Sequence, residues 1–277
     1  MVQAIKGWMK RCIPRSAHMS LRIAWTRLRT VTSWPWMRGD RYECPFCRRR
    51  FGRFYPEGLR LPVFKEKQIT SGGYSEHRRC PWCWSSERDR LLHLSLTQGP
   101  PWGSRMGTVL HLAPEFHLQR LLRRVFGIRY VAGDLRSPLA QVKMSVLDLP
   151  VRASSIDGIV CNHVLEHVVD DQKAMAELFR ALKPGGWAIL QVPIGLALER
   201  TYEDCSIKEP AARERAFGQF DHVRIYSRND YRRRLEVAGF EVTIENCLEK
   251  FGAKTVERLR LNPLEDLHLC RKPKEVS

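Results

Sequence analysis

From residue 108 onward, apolar runs of strand length alternate with amphipathic stretches of helix length, and this alternation constrains the fold more than any other feature. Strands are expected at Thr108–Ala113, Tyr130–Ala132, Met144–Leu147, Ile156–Cys161, Trp187–Val192, Val242–Glu245 and Leu267–Cys270. Helices are expected near Leu118–Val125, Asp171–Leu182 and Arg228–Ala238, and Lys183-Pro184-Gly185-Gly186 reads as a hard stop. Strands separated by helices imply an α/β fold, a mostly parallel sheet with helices on both faces. A chain of 277 residues has room for one large domain of this kind and something small beside it. No stretch approaches the ~18 uncharged apolar residues of a membrane-spanning helix. The start, MVQAIKGWMKRCIPR, lacks the continuous apolar core of a secretory signal.

Charge divides the chain in two. Of the net +17, most belongs to residues 1–100, which carry 20 Lys/Arg against 7 Asp/Glu. The rest is nearly balanced, with 27 against 23. The front of the chain is therefore expected to meet an anionic partner, and the back reads as an ordinary soluble domain. Turn-forming residues cluster between 99 and 107 (Gly-Pro-Pro-Trp-Gly-Ser-Arg-Met-Gly). The expected units are a basic amphipathic segment over 1–40, a cysteine-bearing module over 41–98, and the alternating domain over 99–277.

Within 1–40, Ile5, Trp8, Met9, Cys12 and Ile13 fall at helical spacing, and Leu21, Ala24, Trp25, Leu28 and Val31 form a second stripe. Such a basic amphipathic helix suits an anionic membrane surface, with tryptophans at headgroup level. It equally suits packing on the rest of the protein, and an organellar transit peptide has a similar composition.

The chain holds nine cysteines, an odd number, and four lie in two close pairs, Cys44-Pro-Phe-Cys47 and Cys80-Pro-Trp-Cys83. This pattern excludes a small disulfide-stapled fold and points to a reducing, cytoplasmic compartment. Two such knuckles bring four thiolates to the corners of a tetrahedron about 2.3 Å from one Zn²⁺. Four thiolates close the coordination shell, so the expected zinc is structural, and a module this small needs its metal to fold. A rubredoxin-type iron site uses similar knuckles, and nothing in the spacing requires His77. Arg48, Arg49, Arg50, Arg53, Arg78 and Arg79 are interleaved here with Phe46, Phe51, Phe54, Tyr55, Trp82 and Trp84. The mixture suits single-stranded nucleic acid, with cations on phosphates and rings on bases. It also suits a ribbon that turns its rings inward.

The run from Ile156 through Asn162-His163-Val164-Leu165-Glu166-His167-Val168, followed by Lys183-Pro184-Gly185-Gly186 and a strand, resembles class I S-adenosylmethionine-dependent methyltransferases, nearest their type-11 branch. The resemblance covers residues 108–250. It implies a Rossmann-like seven-stranded sheet and S-adenosylmethionine as cofactor. In open α/β sheets ligands bind beyond the carboxyl ends of the strands. Asp134 with Leu135 ends the second strand, where an acid takes ribose hydroxyls; Asp148 and Leu149 follow the third, and the resemblance gives Asp148 the adenine amino group. Asn162 and His163 end the fourth. The first strand departs from the family. His111 stands where an acid is expected, and Ala113 and Glu115 stand where glycines would let the backbone approach the cofactor. Glu115 is a candidate to replace the missing carboxylate.

On the acceptor side, His167 is the first candidate general base and His222 the second, because an ordinary pKa near 6.5 suits that work. His222, Arg224 and Tyr226 alternate, so an extended segment points all three to one side. Arg224 and Tyr226 are the expected substrate-binding pair, with Arg224 suited to a carboxylate or phosphate. The reading is a zinc-stabilised methyltransferase acting on an oxygen or nitrogen of a small, anionic or carrier-linked acceptor. One rival replaces that acceptor with ribosomal or transfer RNA held by the basic module. A second rival is a non-enzymatic binding protein on a degenerate scaffold.

Overall fold

The structure is a computed structural model that describes residues 34–98, 107–126 and 130–274, with positions 21, 24–25, 27–28 and 30–32 ahead of them. The stripe expected over residues 5–13 lies outside the described residues. Four short strands come first: β1 (Tyr42–Cys44), β2 (Arg49–Phe51), β3 (Tyr55–Glu57) and β4 (Ser75–Arg79). They form two antiparallel ribbons, β1 with β2 and β3 with β4. Helix α1 (Trp34–Met37) precedes them, and α2 (Pro62–Glu66) lies in the excursion between β3 and β4.

Helix α3 (Glu87–Thr97) opens the main domain. Ser86 caps it, accepting from Asp89 N while Asp89 accepts from Ser86 N at 2.7 Å. Its Leu91, Leu92, Leu94 and Leu96 pack with Val109, Leu118, Leu122 and Ile189 of the sheet layer. At about 1.5–3 kcal/mol for each buried leucine, that contact decides where the helix belongs. The helix, which precedes the turn-rich stretch at 99–107, shares a core with the sheet.

The central sheet comprises β5 (Val109–Leu112), β6 (Tyr130–Asp134), β7 (Val142–Lys143), β8 (Ile156–Asn162), β9 (Leu182–Gln191), β12 (Glu241–Asn246) and β13 (Asp266–Arg271). Its order is β12-β13-β9-β8-β5-β6-β7, with β13 antiparallel to both neighbours and the other pairs parallel. All four residues of β5 are buried, as a strand covered on both faces requires. Gly158 of β8 is forced by packing: a Cβ there would sit 2.3 Å from the Trp187 indole.

Helices α4 (Phe116–Phe126), α5 (Asp171–Ala181), α7 (Arg228–Val237) and α8 (Cys247–Leu259) flank the sheet, and α6 (Pro210–Phe217) lies in the excursion after β9. Within that excursion β10 (Tyr202–Glu203) pairs with β11 (Arg224–Ile225). One core face gathers Leu110, Ile159, Leu178, Leu190 and Tyr231, and the other holds the α3 leucines with Val256 and Leu267.

Two sequence expectations shift. The third strand is Val142–Lys143 and not Met144–Leu147, because Met144 and Val146 turn into the core. Lys183–Gly186 does not stand outside the strand: β9 begins at Leu182, and Gly185 and Gly186 exchange backbone bonds with Lys272. Helix α8 is not among the expected helices, and it buries Cys247, Val256 and Leu259. It is started by Asn246, whose side chain accepts from Leu248 N and Glu249 N.

Candidate active site

The four cysteines meet as their spacing requires. Cys44 Sγ lies 3.5 Å from Cys83 Sγ, and Cys47 Sγ lies 3.7 Å from Cys80 Sγ. A tetrahedron with bonds of 2.3 Å has edges of about 3.8 Å, so the donor set fits a four-thiolate metal site. Beside it Arg90 is fully buried and bonds only carbonyls: Leu259, Ser85, Arg78 and Arg260. A desolvated guanidinium without a touching carboxylate needs another counter-charge. Burial pulls its pKa down, and Cys44 is the largest opposing influence. A metal-bound thiolate cluster would carry that negative charge, and the same side chain ties the module to the end of α8. His77 is not a ligand; its Nδ1 lies 3.4 Å from the backbone of Phe54.

The aromatic residues around the cysteines face inward. Phe51, Phe54 and Tyr55 are buried with Met37 and Tyr42, and Phe46 packs on His93 and His117. Trp82 is half-buried and covered by Arg49, 3.8 Å from its ring centre. The stacking surface that a nucleic acid would use is largely spent on the module's own core.

On the cofactor side, the first-strand loop keeps its shape without the glycine. Ala113 has φ 49°, a left-handed conformation that costs a residue with a Cβ about 1–2 kcal/mol. Glu115 is held from two directions: His111 Nε2 lies 2.6 Å from Oε2, and Asn162 Nδ2 donates to Oε1 at 3.1 Å. His111 is fully buried, with Nδ1 2.9 Å from the Tyr130 hydroxyl. Both ring nitrogens are thus engaged within the protein, and His111 positions Glu115. Asp134 Oδ1 accepts from Arg136 N and Ser137 N at 2.6 and 2.5 Å, so half of this carboxylate shapes its own turn. Leu135 and Asp148 are exposed. Leu149 is buried, and its amide donates to Glu177 at 3.1 Å, so that amide is spent within the protein.

Glu115, Asn162 and His163 share a narrow cleft with Arg88, Gln191 and Glu265. Its free volume is about 10 Å³, no more than one water, so side chains on its rim must move to admit a methionine-sized group. The donor set nevertheless suits one: a carboxylate for an ammonium, a guanidinium for a carboxylate, and the buried Asn162 Oδ1 without a partner among the described residues. Burial raises Glu265 to about 8.

A larger cavity of 230 Å³ adjoins it, with Arg88 and His163 in the walls of both. His167, His222 and Glu166 line one side. Leu59, Phe64, Ile69 and Gly72, from the excursion between β3 and β4, form the other. That excursion is anchored by Val63 packing on Phe217 and Ile225. The His167 and His222 rings meet edge to face at 4.6 Å. Burial, with His167 alongside, lowers His222 to about 4, and burial raises Glu166 to about 8. Glu166 is 1% exposed, and its Oε2 has no hydrogen-bond partner among the described residues.

Arg224 and Tyr226, the expected substrate-binding pair, are engaged within the protein. The alternation is right, since both point with His222 toward the segment after β8. However, the Arg224 guanidinium is consumed by Glu203 at 2.7 Å and by the carbonyls of Leu165, Val168 and Val169. Tyr226 is fully buried and donates to Asp171 at 2.7 Å. Both clamp the loop that presents Glu166 and His167. Arg88 and the Leu59–Gly72 wall are the site residues that sequence reasoning missed. The capping box at Ser86 marked the helix of Arg88, but no spacing aims that side chain at a cleft.

A methyltransferase-domain profile matches residues 90–245, more than half of the chain, and the chain belongs to that family. A protein of Mycolicibacterium smegmatis named as a probable S-adenosylmethionine-dependent methyltransferase is 29% identical over 126 residues, 43% of this chain and 44% of the relative. The chain thus matches less than half the length of that relative. A chain from the Haloferax volcanii complex of the Trm112 methyltransferase activator with a methyltransferase superposes with a TM-score of 0.47 at 21% identity, covering 67% of this chain and 92% of the other. The 1,6-didemethyltoxoflavin-N1-methyltransferase of Burkholderia thailandensis gives 0.47 at 18%, covering 68% and 78%.

Proposed function

We propose that the protein transfers a methyl group from S-adenosylmethionine to an oxygen or nitrogen of a small, anionic or carrier-linked acceptor in the cytoplasm. The Asn162–His167 run keeps it nearest the type-11 branch. The observation that carries the reading is the pair of adjoining spaces beyond β5 and β8, the narrow one lined by Glu115, Asn162 and Arg88 and the larger one by two histidines. When bound, the cofactor supplies an electrophilic methyl on a sulfonium. Asp134 would hold its ribose, Asp148 its adenine, and Glu115 with Arg88 its amino-acid end. The left-handed Ala113 supports retained binding, because the backbone there still adopts the conformation a glycine would.

His222, lowered to about 4, is neutral at physiological pH and can accept a proton only weakly. Orientation of the acceptor in the cavity therefore supplies most of the acceleration. The inward-facing rings of the module argue for a small acceptor over RNA. Zinc at the four cysteines would be structural.

We also propose that the front helix touches an anionic membrane. Thr30 is buried and donates to Pro81 O at 2.6 Å, whereas Trp25, Leu28 and Val31 are exposed, Trp25 by 68%. The helix rests on the module by one face and leaves its apolar stripe outward.

Calorimetry with S-adenosylhomocysteine tests the cofactor reading. Asp134→Ala should weaken binding about 10- to 100-fold, equivalent to ~1.4–2.7 kcal/mol. Absence of binding by the unmutated protein would refute the reading. Incubating labelled cofactor with cell extract tests the acceptor, and label in an RNase-sensitive fraction would favour RNA.

A further inference from the structure

We propose that Glu166, His167 and His222 form a binding site for one divalent transition-metal ion, open to the 230 Å³ cavity. One ligand atom from each lies within 4.8 Å of the others. Ligands about 2.1 Å from one tetrahedral ion stand ~3.4 Å apart, so side-chain rotations that draw the donors together by up to roughly 1.4 Å complete the site.

Three independent features point to a ligand. The first is the carboxylate. Glu166 is buried, its Oε2 has no partner among the described residues, and Arg88 in the same wall makes no hydrogen bond to it among them. A carboxylate placed in this way either keeps its proton or needs a cation. The second is outer support. His163 Nδ1 lies 3.1 Å from Glu166 Oε1, leaving the buried Oε2 without a partner among the described residues. His167 Nδ1 lies 3.3 Å from the Asp221 carbonyl and 3.4 Å from its carboxylate, and His222 meets the backbone of Phe217. Ligating histidines characteristically spend one ring nitrogen on such an acceptor and leave the other for the metal. The third is rigidity. His163 has φ 53°, Val223 N donates to Glu166 O at 2.9 Å, and Arg224 clamps the carbonyls of Leu165, Val168 and Val169. The loop is over-determined by its surroundings, as a preorganised site requires.

Two imidazoles and one carboxylate select borderline ions of the Mn²⁺ to Zn²⁺ series over Ca²⁺ or Mg²⁺. Three protein ligands leave coordination positions open to the cavity, where a water or an acceptor oxygen would bind. The metal site stands on its own geometry. The role of holding an acceptor hydroxyl or carboxylate rests on the methyl-transfer reading above.

Co²⁺ titration of the zinc-loaded full chain is the test, because thiolate and N/O coordination of Co²⁺ differ in their absorption spectra. One equivalent of Co²⁺ should bind without thiolate charge-transfer absorption. Glu166→Gln and His222→Gln should each weaken it at least tenfold, while S-adenosylhomocysteine affinity stays within a few-fold. No such Co²⁺ binding, or equal binding by both variants, would overturn the proposal and leave the trio a metal-free packed cluster. Should His222→Gln lose its thermal transition, the isosteric Glu166→Gln decides alone. Co²⁺ binding without S-adenosylhomocysteine binding would keep the ion and sink the methyl-transfer reading; the converse would sink only the ion.

Discussion

Cys44, Cys47, Cys80 and Cys83 close on one another with Sγ–Sγ separations of 3.5 and 3.7 Å, whereas Glu166, His167 and His222 look onto a 230 Å³ cavity. Every vertex of the first cluster belongs to the protein, and the counter-charge of Arg90 is buried beside it. The second cluster has three vertices from the protein and an unpartnered oxygen. Closed ligand shells hold structure, and open ones leave room for chemistry. In this chain the difference is also written in the backbone. The cysteines sit at the ends of short ribbons, while Glu166 and His167 sit on a loop clamped by Arg224 and Tyr226.

The comparison breaks most easily at the cysteines. Structural zinc in small cysteine-rich units contributes about 10–16 kcal/mol of apparent binding energy to folding. Cys44→Ser should therefore abolish the metal, expose residues 41–86 to proteolysis and lower the thermal transition of the whole chain. A metal-free variant with an unchanged transition would mean that the cluster is not structural.

Arg90→Met comes next. It removes the donor from four carbonyls and the cation from the cysteine cluster, at an expected cost of about 3–5 kcal/mol in denaturant unfolding. A loss below 1 kcal/mol would show that the module and α8 are coupled by other contacts.

Glu265 sharpens the comparison through pH. Burial raises its folded pKa to about 8, against an ordinary 4.5, so the folded state holds the proton longer. Stability from this group is complete below about pH 4.5 and is lost as pH rises toward 8, on the order of a few kcal/mol. Glu265→Gln should flatten that decline, and an unchanged pH profile would refute the assignment.

The smallest effects belong to the open side. His167→Gln should change unfolding free energy by about 1 kcal/mol or less, although turnover on the true acceptor should fall about 10²- to 10⁴-fold. Ala113→Gly, by releasing the left-handed alanine, should stabilise by up to about 1 kcal/mol. A stability loss at His167 as large as that at Cys44 would erase the distinction between the clusters.

What the sequence made legible followed from chemistry that repeats at fixed spacing. Close Cys-x-x-Cys pairs tend to converge in space, and buried parallel strands are continuous apolar runs, so the four-cysteine cluster and the centres of β5, β8 and β9 were readable, although β9 begins at Leu182 and not at Trp187. Arg224 was not. A guanidinium that binds three carbonyls in the protein and one that binds a substrate carboxylate look the same in a string of letters. The contact of His111 with Glu115 was hidden for the same reason, since a buried histidine that orients a carboxylate and an exposed one share one symbol. The excursion between β3 and β4 had no periodicity to read, because its residues answer to a partner surface far along the chain at Phe217 and Ile225.

That excursion has a consequence for how new specificities could arise. The cavity takes its histidines from the strand-end loops and its opposite wall from Leu59, Phe64, Ile69 and Gly72. The two walls are different stretches of chain and can vary independently. Replacing the 58–74 stretch, with the ribbons on either side of it left alone, would alter the size and polarity of what is admitted without altering Arg88, Glu115, Asn162 or any other residue that lines the narrow cleft. The molecule is in this sense a fixed engine with an exchangeable mould.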